Sequence, residues 1–144
     1  MRAVSRENLH VTLAFLGATP QSRVDDVAAA LNASVDGVAP PELEAARYRE
    51  TRSVGMVVLD DEGGRATAIA GELAGRLERL GLYRPERRPW LPHVTVVRFR
   101  ERPRLAPPPP DLGRFAPSEA TVTMSVLRPT GAQYADIESV ALGG

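Results

Sequence analysis

Apolar residues recur along this chain with two different periods, and the switches between them lay out its elements. Leu9-His10-Val11-Thr12-Leu13-Ala14-Phe15-Leu16, closed by Gly17, is rich in the residue types that suit a pleated, half-buried surface and predicts a strand. Thr19 followed by Pro20 predicts an N-cap with proline at the first helical position, and Val24, Ala28, Leu31 and Val35 then recur at helical spacing until Gly37. Residues 42–49 and 54–59 predict two strands of a hairpin, joined by the polar Glu50-Thr51-Arg52-Ser53. From Arg65 to Leu80 the positions Ile69, Leu73, Leu77 and Leu80 keep a helical period, and Gly81 stands where a left-handed C-cap would. A stretch rich in Pro and Arg, Tyr83 to Pro92, then leads into the strand-like His93-Val94-Thr95-Val96-Val97-Arg98-Phe99. Pro107 to Pro110 read as a stiff surface connection, and two last strands are predicted at about 121–127 and 134–141.

This order lacks the regular alternation of strand and helix that signals a parallel, doubly wound sheet. It predicts an α+β fold with mainly antiparallel sheets. The segments 9–17 and 92–100 are counterparts, each setting His-Val-Thr on a strand, so the expected shape is two-lobed and pseudo-symmetric.

A length of 144 residues matches one domain spanning 1–144, and 43% apolar with 25% charged residues is the balance of a chain that folds. The absence of cysteine removes disulfides, thiolate metal sites and thiol nucleophiles, and fits a reducing cytoplasm. No apolar run approaches the length of a membrane span, and the first residues lack the apolar core of a secretory signal, so a cytoplasmic protein without membrane contact is expected. Eighteen acidic residues balance eighteen basic ones, which leaves no global field to attract nucleic acid. All eighteen basic residues are arginine, a bias that fits a GC-rich genome better than a chain-wide phosphate-binding role.

The chemistry rests on the two histidines. Each begins the same triplet, His10-Val11-Thr12 and His93-Val94-Thr95. With eight threonines in the chain, both triplets would arise by chance in about 0.3% of cases. On a strand, residues i and i+2 share a face, so each His and its Thr point into the same space. Val11, Leu13 and Phe15 occupy the opposite face of the first motif, Val94 and Val96 that of the second, while Phe99 breaks the polarity of the upper face. Imidazole titrates at about pH 6.5, so one member of a facing pair can serve as base while the other serves as acid. Hydrolysis of a phosphate ester needs both, and threonine hydroxyls can donate to the non-bridging oxygens without adding a titrating group. Two histidines without a carboxylate partner do not form a transition-metal shell, and Asp60-Asp61-Glu62 before Gly63-Gly64 reads as a solvated turn.

Arginines 84, 87, 88, 98, 100, 102 and 104 bracket the second histidine against only Glu86 and Glu101. With Trp90 and Phe99 nearby they could hold phosphate and stack a base, or the aromatics could belong to the core.

The two motifs in the contexts Glu7-Asn8-Leu9-His10-Val11-Thr12-Leu13-Ala14-Phe15-Leu16-Gly17 and Pro92-His93-Val94-Thr95-Val96-Val97-Arg98 resemble the 2H phosphoesterase superfamily, and within it the RNA 2',3'-cyclic phosphodiesterases, also called 2'-5' RNA ligases. Ser125-Val126-Leu127-Arg128-Pro129-Thr130-Gly131-Ala132-Gln133-Tyr134 is similar to that branch too. The resemblance implies a groove between two lobes and metal-independent hydrolysis of an RNA-terminal 2',3'-cyclic phosphate to a 2'-phosphomonoester, possible 2'-5' ligation being its reverse. It implies no cofactor, His10 as proton donor to the leaving oxygen, His93 as proton acceptor from water, Thr12 and Thr95 as phosphate ligands, and Arg98 near the substrate. An ideal strand would turn Arg98 away from His93, so its place in the site requires a twist or a bulge. The expected partners are RNA ends or small cyclic-phosphate nucleotides, and the expected state is a monomer. The chain starts only nine residues ahead of His10, where the resemblance implies a strand and a helix, so those elements are expected to be missing. A non-catalytic module that binds RNA ends or nucleotides, and an enzyme of the same superfamily acting on a small cyclic nucleotide, are the competing expectations.

Overall fold

The computed structural model describes residues 1–129 and 131–143. Along the chain come β1 (Arg2–Ala3), α1 (Val24–Val35), β2 (Glu42–Glu50), β3 (Val54–Glu62), α2 (Arg65–Arg79), β4 (His93–Arg98), β5 (Glu119–Arg128) and β6 (Gly131–Ala141), with 3-10 turns at Arg6–Asn8 and Gln21–Arg23. They form an antiparallel four-stranded sheet in the order β1-β4-β3-β2 and a separate β5-β6 ribbon. The fold is α+β with antiparallel sheets. No helix among the described residues is long and apolar enough to cross a membrane.

The helix α2 joins the two halves. Its first turn sets Ala66 against Leu43 and Leu59 of the four-stranded sheet, while Ile69, Leu73 and Leu77 pack on Val27, Leu31 and Val35 of α1. Ala120 and Val122 of β5 and Val140 of β6 close the second cluster. Leu77 is 0% exposed, and burying such a side chain contributes about 1.5–3 kcal/mol. The helix ends as its sequence predicts. Gly81 has φ 74°, its N–H bonds to the Glu78 carbonyl, and the Leu82 N–H reaches back to Leu77, which together make a Schellman stop.

Its start corrects the reading of the acidic run. Asp60 to Glu62 finish β3 instead of forming a turn. Asp61 then accepts hydrogen bonds from the N–H groups of Ala66 and Thr67, at 3.1 and 2.7 Å, and from the Thr67 hydroxyl, at 2.7 Å. A carboxylate there satisfies orphan donors of the first turn and complements the helix dipole.

At α1 the predicted cap is not formed. Thr19 bonds only to the Gly17 carbonyl, Gln21–Arg23 adopt a 3-10 turn, and the helix begins at Val24. Asp25 and Asp26 in its first turn supply the favourable negative charge instead.

The eight-residue strand expected over Leu9–Leu16 shrinks to one antiparallel bridge, Val11 with Val94. The Thr12 carbonyl is instead taken by the indole N–H of Trp90, at 3.0 Å. Leu13, Ala14 and Leu16 still pack on the helical core, whereas Phe15 is 76% exposed, contrary to its expected burial.

Candidate active site

The Val11–Val94 bridge runs the two motifs antiparallel, so it sets Thr12 beside His93 and His10 beside Thr95. Both valines turn to the side occupied by Leu43, Leu59 and Ala66, which leaves the two imidazoles and two hydroxyls on the other face. Cα atoms of His10 and His93 then lie diagonally across the pair, about 8 Å apart from strand spacing alone.

Each ring is anchored the same way. Nδ1 of His10 lies 2.6 Å from the Asn8 carbonyl, and Nδ1 of His93 lies 2.8 Å from the Leu91 carbonyl. A carbonyl can only accept, so both rings carry a proton on Nδ1 and present Nε2 for exchange. The repetition extends from the triplet to its hydrogen bonding. His10 and Thr12 are exposed, whereas His93 and Thr95 are half-buried in β4.

Register decides where Arg98 points. In β3, Val58 pairs with His93, Met56 with Thr95 and Val54 with Arg98, while Gly55 pairs with Val97. Val96 is therefore an extra residue, a bulge. Val58, Met56 and Val54 alternate regularly and share a face, so His93, Thr95 and Arg98 share it too. The bulge also turns Phe99 away from this face, where an unbroken strand would have put it. Phe99 is 8% exposed and its N–H bonds to the Ser53 carbonyl. Trp90 is half-buried against the Leu43, Leu59 and Ala66 cluster. Both aromatics therefore serve packing, and the reading of them as a base-stacking pair loses its footing.

A second bulge, between Ala45 and Arg47, does the same for β2. Leu43 and Ala45 pair with Asp61 and Leu59 and face the core, whereas Arg47 pairs with Val58 and Arg49 with Met56. Arg47 and Arg49 thus lie on the His93 face. Sequence reasoning missed them because perfect alternation from Leu43 would have turned them inward. The remaining arginines of the bracketing cluster divide. Arg84, Arg87 and Arg88 lie on an exposed loop, while Arg102 pairs at 3.1 Å with Glu50.

The sequence pattern puts Glu50 in the hairpin connection, but the residue ends β2 with its side chain 1% exposed. Its Oε1 accepts from Arg102 Nε and the Arg104 N–H, and its Oε2 from the Tyr48 hydroxyl and the Leu105 N–H. Burial alone would raise its pKa. The hydrogen bonds from Leu105, Tyr48, Arg102 and Arg104 outweigh that and hold it below the ordinary carboxylate value. Burial, then the bond to Glu50 and its charge, push the Tyr48 hydroxyl up. This latch fixes the chain just after Arg98, including Arg104 at φ 58°.

Hollows of about 430 and 610 Å³ lie away from the motif residues, one lined by Phe15, Leu16, Tyr83 and Arg84, the other by residues of the Arg84–Arg88 loop.

Two antiparallel sheets with a paired His-x-Thr motif on one face define the class, and the chain belongs to the 2'-5' RNA ligase superfamily, the 2H phosphoesterases, whose sequence model matches residues 2–130. Among solved structures it is similar to TT0787 of Thermus thermophilus, with 24% identity, a TM-score of 0.84 and coverage of 99% of this chain and 82% of that one. It is also similar to E. coli LigT complexed with 3'-AMP, at 23% identity and TM-score 0.83 over 99% and 82%. The LigT complex with NADP+ matches at 24% and 0.76 over 99% and 81%. At these identities the likeness is one of fold. No curated protein sequence matches the chain. Of the tail that resembled the same branch, Thr130 lies outside the described residues.

Proposed function

We propose that this chain is a metal-independent phosphodiesterase that opens an RNA-terminal 2',3'-cyclic phosphate to a 2'-phosphomonoester. The observation that carries the reading is the antiparallel pairing of the motifs, which puts one imidazole and one hydroxyl on each side of a common centre. His93 Nε2 takes a proton from water as its oxygen bonds to phosphorus. The P–O3' bond breaks, and His10 Nε2–H delivers a proton to the departing 3' oxygen. The reaction thus ends with the proton moved from one ring to the other. Thr12, Thr95 and Arg98 hold the non-bridging oxygens, and Nδ1 of each ring stays bound to its backbone carbonyl throughout. The surrounding charge is that of Arg47, Arg49 and Arg98, which favours a phosphate and disfavours a metal cation. Ring strain in the five-membered phosphate lowers what the protein must supply. That E. coli LigT was crystallised with 3'-AMP, NADP+ and ATP supports a nucleotide ligand here.

The test is hydrolysis of an oligonucleotide ending in a 2',3'-cyclic phosphate, in excess EDTA, with the product isomer identified. Turnover to the 2'-phosphate that survives chelation is expected. A well-folded protein that binds the oligonucleotide without turning it over would make it a binding module, and activity abolished by EDTA would end the metal-free mechanism.

A further inference from the structure

The paired registers set two rows across the four-stranded sheet. One runs Thr12, His93, Val58, Arg47, and the other His10, Thr95, Met56, Arg49. Between each motif residue of β4 and each arginine lies one buried apolar position, Val58 at 2% or Met56 at 7% exposure. Two strand spacings separate the arginine backbone from that of the histidine and threonine, about 10 Å. Both arginines are exposed, and the ion pairs among the described residues engage neither. Beyond them the same face turns acidic, with Glu44 opposite Asp60 and then Glu42 opposite Glu62, the last of these paired with Arg114 at 2.7 Å. A polyanion leaving the motif centre therefore finds attraction toward Arg47 and Arg49 and repulsion past Asp60.

We propose that Arg47 and Arg49 hold the phosphodiester that precedes the terminal nucleotide, which makes the preferred substrate an oligonucleotide end and not a free mononucleotide. The inference rests on the reading of the motif centre as the site of the terminal phosphate. The distance suits it: the long arginine stems and one intervening sugar bridge a gap that no side chain on β4 itself could close. Arginine is also the residue type whose planar fork matches two phosphate oxygens.

Steady-state kinetics on a 2',3'-cyclic-phosphate oligonucleotide and on the matching nucleoside 2',3'-cyclic monophosphate test it, for wild type and the Arg47→Gln, Arg49→Gln double variant. The ratio of the two kcat/KM values should fall at least tenfold in the variant, and the salt dependence of oligonucleotide KM should weaken by a log–log slope of about 0.7, for the one single-strand phosphate the two arginines share. A ratio within twofold of the wild type, at an unchanged melting temperature, would mean that the arginines merely guard the edge of the sheet, and would overturn the inference. Should the wild type turn over neither substrate, the catalytic reading falls by itself. Anisotropy titration of a labelled oligonucleotide ending in a 2'-phosphate then decides the arginines' role: tenfold weaker binding by the variant supports it, and equal binding ends it.

Discussion

Trp90 donates its indole N–H to the backbone carbonyl of Thr12 across 78 positions of sequence, and so ties the first motif to the approach of the second. The bond helps fix a segment otherwise held by the Val11–Val94 bridge and by the packing of Leu13, Ala14 and Leu16 on the helical core. Trp90→Phe keeps most of the packing and loses the bond, which should cost about 0.5–1.5 kcal/mol in chemical unfolding and lower kcat more than it raises KM. Since Trp90 is the one tryptophan in the chain, its fluorescence should also respond to a nucleotide bound at the motifs. An unchanged spectrum on saturation with 3'-AMP would argue against ligand binding there.

His10→Ala and His93→Ala should each lower kcat/KM by about 10²–10⁴ while moving stability by less than about 1 kcal/mol, since His10 is exposed and His93 only half-buried. Thr12→Val or Thr95→Val should cost about 10² by removing one donor to the phosphoryl oxygens. Large losses of thermal stability in both histidine variants would instead assign the rings a structural role.

Gly55 sits where β3 meets the bulge of β4. A Cβ there would collide with the Tyr48 hydroxyl and, at 2.6 Å, with Val97 Cγ1. Gly55→Ala should therefore cost about 1–3 kcal/mol, and by displacing the Val97 pairing it should also re-aim Arg98. The expected signature is a combined loss, a lower melting temperature together with a higher KM. A fully active Gly55→Ala variant would show that Arg98 is not needed in its present direction.

Glu50 makes acid stability testable. Its folded pKa lies below that of an unfolded glutamate, about 4.3, so its contribution is complete above that value and is lost as pH falls through the lower folded one. Glu50→Gln should flatten this acid limb of the unfolding midpoint against pH while lowering stability at pH 7, where the Arg102 pair and the backbone N–H groups of Arg104 and Leu105 lose a charged acceptor. A mutant curve parallel to the wild type from pH 3 to 7 would refute the assignment.

Elements whose stability is local were legible in the sequence. The stripe Ile69, Leu73, Leu77 with Gly81 after it describes α2 nearly to the residue, and the hairpin of β2 and β3 follows from two strand-like runs about a polar connection. The repeated His-Val-Thr triplet likewise pointed to paired groups on one face. What could not be read depends on partners distant in sequence. One bridge at Val11 and the Trp90 bond to the Thr12 carbonyl stand where a whole strand was expected, and nothing in residues 9–16 alone foretells that. Extra residues in β2 and β4 reverse which side chains face the site, so Arg98 could not be aimed, and Arg47 and Arg49 could not be found, from periodicity. Glu50 read as a polar connection because three of its four partners lie more than fifty residues downstream.

The antiparallel bridge also gives the motif face a local two-fold axis passing between Val11 and Val94. A phosphoryl group centred on that axis meets the same imidazole, hydroxyl and carbonyl-anchored ring whichever way it is turned. Direction is therefore a property of the surroundings and not of the reacting groups: His10 lies in solvent, His93 lies half-covered, and the arginines of β2 stand on one flank only. If the proposed chemistry holds, altering that flank would change which oxygen of a bound ester departs, with both histidines left untouched.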